Sequence, residues 1–185
     1  MIANITILVD GRPAPIVIET GFIAIRESID FFLPTAELNW SDFVSSFVSV
    51  YPFMQDSEIA ITLDDNITRK EWKFLAFSSK KELSPSSGSE SYDFNLDCIS
   101  KYVTPLTTDS EYHSMKSTAS DYVAYIAKKC GLKSDVENTN ELRNWINPGW
   151  KFGQMVRYLA QRSISASGSA GYLYYVKSNG TLVFK

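Results

Sequence analysis

The chain has 185 residues, 44% hydrophobic, 14% aromatic and 21% charged, enough for one large domain or two small ones with real cores. A formal charge of -3 favours neither nucleic acid nor an anionic membrane as an evident partner. That charge is uneven: residues 1–100 carry 7 Lys/Arg against 15 Asp/Glu, a net of -8, and residues 101–185 carry 11 against 6, a net of +5, so the sign changes near residue 100, as at a domain boundary.

In chain order, the first half reads as β. "NITILVDG" alternates, with Ile5, Ile7 and Val9 on one face and Asp10-Gly11 as a turn. "APIVIET" and "FIAIRES" are two short strands around Gly21. "SEIAITLDDN" alternates Ile59, Ile61 and Leu63 before a turn at Asp64-Asp65-Asn66. "EWKFLAFSSKKE" sets Trp72, Phe74 and Ala76 against Lys73, Leu75 and Phe77, and "SYDFNLDCIS" sets Tyr92, Phe94, Leu96 and Cys98 against Asp93, Asn95 and Asp97. Six short strands with turns between them predict an antiparallel barrel or sandwich. Two stretches interrupt it: residues 35–53, where Phe43, Val44, Phe47 and Val48 suggest a short helix from about Asp42, and the small polar loop 84–90.

The second half reads as two helices and a closing hairpin. In residues 117–132 Ser117 or Thr118 caps, and Asp121 sits in the first turn. Ala119, Tyr122, Val123, Ile126, Ala127 and Cys130 make one apolar face, and Gly131 ends the helix. A second helix follows Pro148-Gly149, with Phe152, Met155, Val156, Leu159 and Ala160 as its stripe. Between them, residues 138–148 hold Leu142, Trp145 and Ile146 in an extended docking segment, and "SEYHSMKS" reads as a polar linker. The chain closes on "GYLYYVKSNGTLVFK", whose last strand has no partner evident in the sequence, and a lone hairpin is marginal in water.

Candidate chemistry is thin. Cys98 and Cys130 belong to no CxxC or Cys/His cluster and read as buried thiols. His113, the single histidine, has Glu111 two residues away but no evident nucleophile. Asp64-Asp65-Asn66 lacks calcium-loop spacing, and no phosphate-binding glycine loop or GxSxG elbow is present. Lys151, Arg157 and Arg162 do not form one stripe on the second helix. No catalytic residue, metal site or cofactor is expected. Residues 1–11 have no basic region before a long apolar run, and no stretch approaches the ~18 apolar residues of a membrane helix.

The order of the pieces is more specific than any one motif. Lys101 and residues 112–117, then Tyr122, Ile126 and Leu132, then Thr139, Asn140, Ile146, Pro148 and Trp150, then Leu159, Ala160, Arg162 and Ser163, then Tyr172, Leu173 and residues 182–184 match a recurring pattern. That succession, best over residues 92–185, resembles the central hub proteins of contractile phage baseplates. The same module recurs in the hub half of type VI secretion spike proteins and at the start of siphophage tail-associated proteins. The resemblance implies an α+β, mainly β chain: a tube-like antiparallel β-barrel or sandwich over 1–104, then a two-helix plus β-hairpin unit over 105–185, the start of a second domain cut short. It implies a non-enzymatic virion component made in the host cytoplasm, a homo-trimer joining the tail tube to the spike or tip. DNA would pass through its lumen without sequence recognition, and no membrane insertion is expected. An acidic first half would suit a lumen wall that does not hold DNA. Trp145, Trp150, Tyr172, Tyr174 and Tyr175 are the expected interface anchors, since large aromatics dominate interface energetics. The competing readings are a receptor- or glycan-binding tail module and a tail-associated cell-wall hydrolase.

Overall fold

The computed structural model describes residues 4–13, 21–27, 34–42, 56–64, 67–83, 92–165, 167–168 and 170–185, and these fall into two compact units that divide between Lys101 and Tyr102.

The first unit is built from β1 (Asn4–Val9), β2 (Arg12–Pro13), β3 (Phe22–Arg26), β4 (Thr35–Asp42), β5 (Glu58–Asp64), β6 (Arg69–Leu83) and β7 (Tyr92–Ser100). They make one sheet in the order β2-β1-β5-β6-β7-β4-β3, antiparallel at every pairing. The alternating residues fall on one face, as the period of two requires. Register then aligns them in rows: Val9 opposes Ile59, which opposes Phe74, while Ile7 opposes Ile61, which opposes Trp72. Leu38 opposes Leu96, and Trp40 stacks on Phe94 with ring centroids 5.2 Å apart. Such cross-strand pairs are the units of sheet stabilisation, each contributing roughly 0.2–1 kcal/mol beyond an Ala pair.

The predicted barrel or sandwich is corrected to a single open sheet: among the described residues no ladder joins β2 to β3. One edge strand, β2, is two residues long and contains Pro13, which has no N–H to donate, a common way of blunting an edge. A bulge between Ala76 and Ser78 leaves Phe77 without a partner on β7 and lets β6 pair with β5 along its first part and β7 along its second. The strand β4 was missed in the sequence because the Ser- and Phe-rich run after it masks the Ala36, Leu38, Trp40 alternation. The expected helix from about Asp42, the strand in 14–20, the turn at Asp65-Asn66 and the loop 84–90 lie outside the described residues.

The second unit contains α1 (Thr104–Thr108), β8 (Ser110–Ser117), α2 (Ala119–Lys129), β9 (Lys133–Val136), β10 (Arg143–Lys151), α3 (Phe152–Arg162), β11 (Tyr174–Val176) and β12 (Thr181–Phe184). Thr118 caps α2, its hydroxyl accepting from Asp121 N at 3.1 Å, and the face from Ala119 to Cys130 is buried as its spacing predicts. The stripe of α3 is buried in the same core. The supposed linker "SEYHSMKS" is strand β8, paired antiparallel with β10, and β10 runs through Pro148, Gly149 and Trp150, so α3 begins only at Phe152. The expected two-helix unit gains α1, a short third helix with a Pro in its first turn.

The last strand is not solitary. β12 lies between β11, antiparallel, and β9, parallel, with Leu182 opposite Val176 on one side and Ser134 on the other. All four of its residues are buried. Beyond it, Leu173 and Lys185 exchange backbone hydrogen bonds of 2.7 and 3.0 Å, and Tyr172 stacks on Phe184 at 4.6 Å. Asp135 on β9 bridges Lys185 and Lys177, and the hydrogen bonds from those two ammonium groups hold its carboxyl below the ordinary range. The β11–β12 turn needs Gly180, whose φ of +77° is left-handed and whose missing Cβ would stand 2.7 Å from the Tyr102 ring.

Two substitutions test these packings by chemical denaturation. Ile59→Ala, at a site with 0% exposure, should cost about 2–5 kcal/mol. Gly180→Ala should cost about 1–3 kcal/mol through left-handed strain and the Tyr102 clash. A Gly180→Ala protein as stable as the parent would contradict the tight turn.

Candidate interaction surface

The ribbon β8–β10 has two unlike faces. Glu111, His113, Met115 and Ser117 alternate with Tyr112, Ser114 and Lys116, and Trp145 and Asn147 alternate with Asn144, Ile146 and Pro148. The register puts Tyr112 opposite Pro148, Ser114 opposite Ile146 and Lys116 opposite Asn144. This outward row is strongly solvated: Tyr112 is 85% exposed and Ile146 63%, with Trp150 nearby at 41%. Among the described residues neither outer edge of the ribbon carries a further strand. Exposed apolar residues clustered on an open-edged ribbon are the usual signature of a protein contact.

The exposed row is held rigidly from behind. Asn147, 1% exposed, accepts from Trp150 N at 2.8 Å and donates Nδ2–H to Trp150 O at 3.2 Å, clamping the stretch where the ladder shifts register between Pro148 and Lys151. Gly149 within the clamp has φ +90°, and a Cβ there would stand 2.7 Å from the Tyr112 ring, so only glycine lets that ring lie against the backbone. Trp145 points inward and donates to Ser117 O at 3.1 Å. Tyr158 of α3 meets Trp145 and Trp150 edge-on, at 6.3 and 5.4 Å, and Arg162 lies 4.9 Å over the Tyr158 ring.

The inward face uses its polar groups structurally. Tyr125 Oη donates to Glu111 at 2.8 Å, and this bond, assisted by the Lys129 ammonium, holds the Glu111 carboxyl below the ordinary range. His113 stacks on Tyr125 at 4.7 Å, and its Nε2 is buried without a hydrogen-bond partner among the described residues. Burial pushes both thiols, Cys98 and Cys130, up to about 12, far from the thiolate that nucleophilic chemistry requires. Among the described residues no group of three or more His, Cys, Asp or Glu is placed to hold a metal.

A second feature lies in the first unit, on the sheet face opposite its core. A recess of about 160 Å³ is lined by Ala24, Arg26, Thr35, Glu37, Phe77 and Asp97, among others. Glu37 and Asp97 stand directly opposite each other on β4 and β7, an arrangement that like charges disfavour. Arg26 pairs with Glu37 at 3.2 Å, and Asp97 has no ion-pair partner among the described residues. The bulge residue Phe77, 55% exposed, forms part of the wall.

Of the five aromatics expected as anchors, Trp145 and Tyr172 are buried in the core of the second unit, Tyr174 and Tyr175 are half-buried on β11, and Trp150 shows an open face. Trp145 and Trp150 meet on Tyr158, whereas Tyr172 packs on Phe184 elsewhere in the unit. Tyr112 and Ile146 are not among those five residues. The signal for them is the period of two in "SEYHSMKS" and "RNWINP", which sets Tyr112 and Ile146 opposite in phase to the buried residues.

No protein-family model matches the chain, and no curated protein matches it in sequence. Solved structures do. The 43 kDa tail protein of prophage MuSo2 from Shewanella oneidensis aligns over 100% of this chain with a TM-score of 0.75 at 13% identity, and 53% of its own length is covered. The tail protein of Neisseria meningitidis MC58 aligns over 98% with a TM-score of 0.66 at 13% identity, 50% of it covered. An E. coli component of the type VI secretion system, described as structurally similar to bacteriophage T4 tail proteins, aligns over 96% with a TM-score of 0.57 at 9% identity, 48% of it covered. The chain thus spans about half the length of these proteins, and its fold is one that phage tail proteins and a type VI secretion component share.

Proposed function

We propose that the chain is a structural component of a phage tail or a related injection machine, a baseplate hub that joins the tail tube to the spike or tip. The observation that carries this reading is the alignment of the whole chain, both units included, with half of a phage tail protein at a TM-score of 0.75. The order of motifs along residues 92–185 supports it independently. In this reading the chain works by assembly: its β-rich part, residues 1–104, lines up with the tail tube, and copies of the chain, three by the resemblance, surround a channel through which DNA passes without sequence recognition. An excess of carboxylates in residues 1–100 suits a wall that releases DNA, since like charge repels phosphate. The interface role expected of the five aromatics falls chiefly to Trp150, the most exposed of them. Catalysis plays no part in the reading. Open strand edges and exposed aromatics supply the contacts, and neighbouring subunits bury them.

The test is location within particles. Tails purified from the virus or secretion machine that encodes the chain should contain it at a few copies each, and labelled antibody should mark the end of the tail distal to the head. Trp150→Ala, at a 41% exposed site, should leave the fold intact and lower incorporation several-fold by quantitative mass spectrometry. A chain absent from purified tails, or one that turns over cell-wall substrate, would sink the reading.

A further inference from the structure

The two features described above differ in charge as well as shape. The ribbon presents Tyr112 and Ile146 beside Lys116, which has no ion-pair partner among the described residues, and its outward row contains no carboxylate. The recess presents Phe77 and Ala24 beside Asp97, also without an ion-pair partner there, with Glu37 directly opposite it. Arg26 in the recess is paired with Glu37, so among the described residues each surface has an apolar side chain and one charge without an ion-pair partner, and the two signs are opposite. The same division runs through the chain as a whole: net -8 up to residue 100 and net +5 from residue 101. An apolar contact flanked by opposite charges is the complementarity that selects a partner and orients it.

We infer that the ribbon face of one copy docks on the recess face of a second copy, with Lys116 drawn toward Asp97 and Tyr112 and Ile146 of one surface against Phe77 of the other. This rests on the assembly reading and names the surfaces that would carry it. Because the two patches differ, the contact is heterologous: each copy keeps a free ribbon at one end of a chain of copies and a free recess at the other until a ring closes. That separates it from a symmetric dimer, in which one patch meets itself.

Two variants of the full chain test this directly. Ile146→Asp spoils the ribbon and Phe77→Asp spoils the recess, both at exposed positions, 63% and 55%. The wild type should form a closed oligomer by native mass spectrometry, and each variant alone should remain a monomer. Mixed in equal amounts, the two should give a one-to-one dimer and nothing larger, because the intact ribbon of one meets the intact recess of the other. Where either variant fails to fold, Lys116→Glu and Asp97→Lys replace them: each alone should stay a monomer, and their mixture, in which both junctions again pair opposite charges, should give oligomers larger than a dimer. A wild-type oligomer that both variants leave unchanged, or a mixture that yields no dimer, overturns the inference while leaving the assembly reading in place. A wild-type chain that stays monomeric at every concentration overturns the inference; the tail-location test judges the assembly reading separately.

Discussion

The second unit depends on one constraint, the pairing of β12 along both its edges. A four-residue strand contributes few hydrogen bonds, and a hairpin of β11 and β12 alone would be marginal in water. Placing β9 parallel on the far side changes that. Parallel strands need a long connection to return. Here the path from β9 to β12 passes through β10, α3 and β11, so closing the sheet gathers nearly every element of the unit around one core. Leu182 and Phe184, both at 0% exposure, sit at the centre of that core with Val123, Ile126, Met155 and Leu159. Loss of β12 pairing would therefore free α2 and α3 as well as the sheet, so the unit should unfold as a whole.

Much of this was legible in the sequence wherever a local period ran long enough. The period of two in β1, β5, β6 and β7 and the helical stripes of α2 and α3 come straight from side-chain direction, and each predicted inward residue of the two helices is buried. What was not legible is non-local. Nothing near residue 133 says that "KSDV" will lie beside "TLVF" forty-eight residues later, because a parallel pairing leaves no turn signature. Strand β8 was hidden for a different reason: its inward residues Glu111, His113 and Met115 are polar or mixed, so the pattern of a strand packed on aromatic rings reads as a polar linker.

The candidate surface divides in the same way. Aromatic side chains announce contact energy but not whether the contact lies inside the chain or outside it. Tyr172 and Trp145 were chosen on the same grounds as Trp150, yet an indole N–H bonded to Ser117 O and a ring stacked on Phe184 use the first two up within the unit. Tyr112 shows the converse. Its ring is kept outside by the partner beneath it, Gly149, whose bare Cα supports the ring without enclosing it. No single-residue propensity carries that information; it comes from a strand register that sets Tyr112 across from Pro148.

Rigidity decides whether such a surface can bind. An exposed aromatic on a loose loop must lose conformational entropy when it is captured, and that loss offsets the area it buries. The ribbon avoids most of this. Asn147 bonds both backbone groups of Trp150, Tyr158 wedges between the two tryptophans, and Arg162 closes over Tyr158, so the partly exposed Trp150 ring is already ordered in the free chain. A surface ordered in this way and left in water carries a standing cost, because its apolar area is solvated. Its open edges add a risk of indiscriminate strand pairing. The charge of Lys116 beside Ile146 and Tyr112 limits that risk: it disfavours a second copy of the same ribbon and favours a surface of opposite sign.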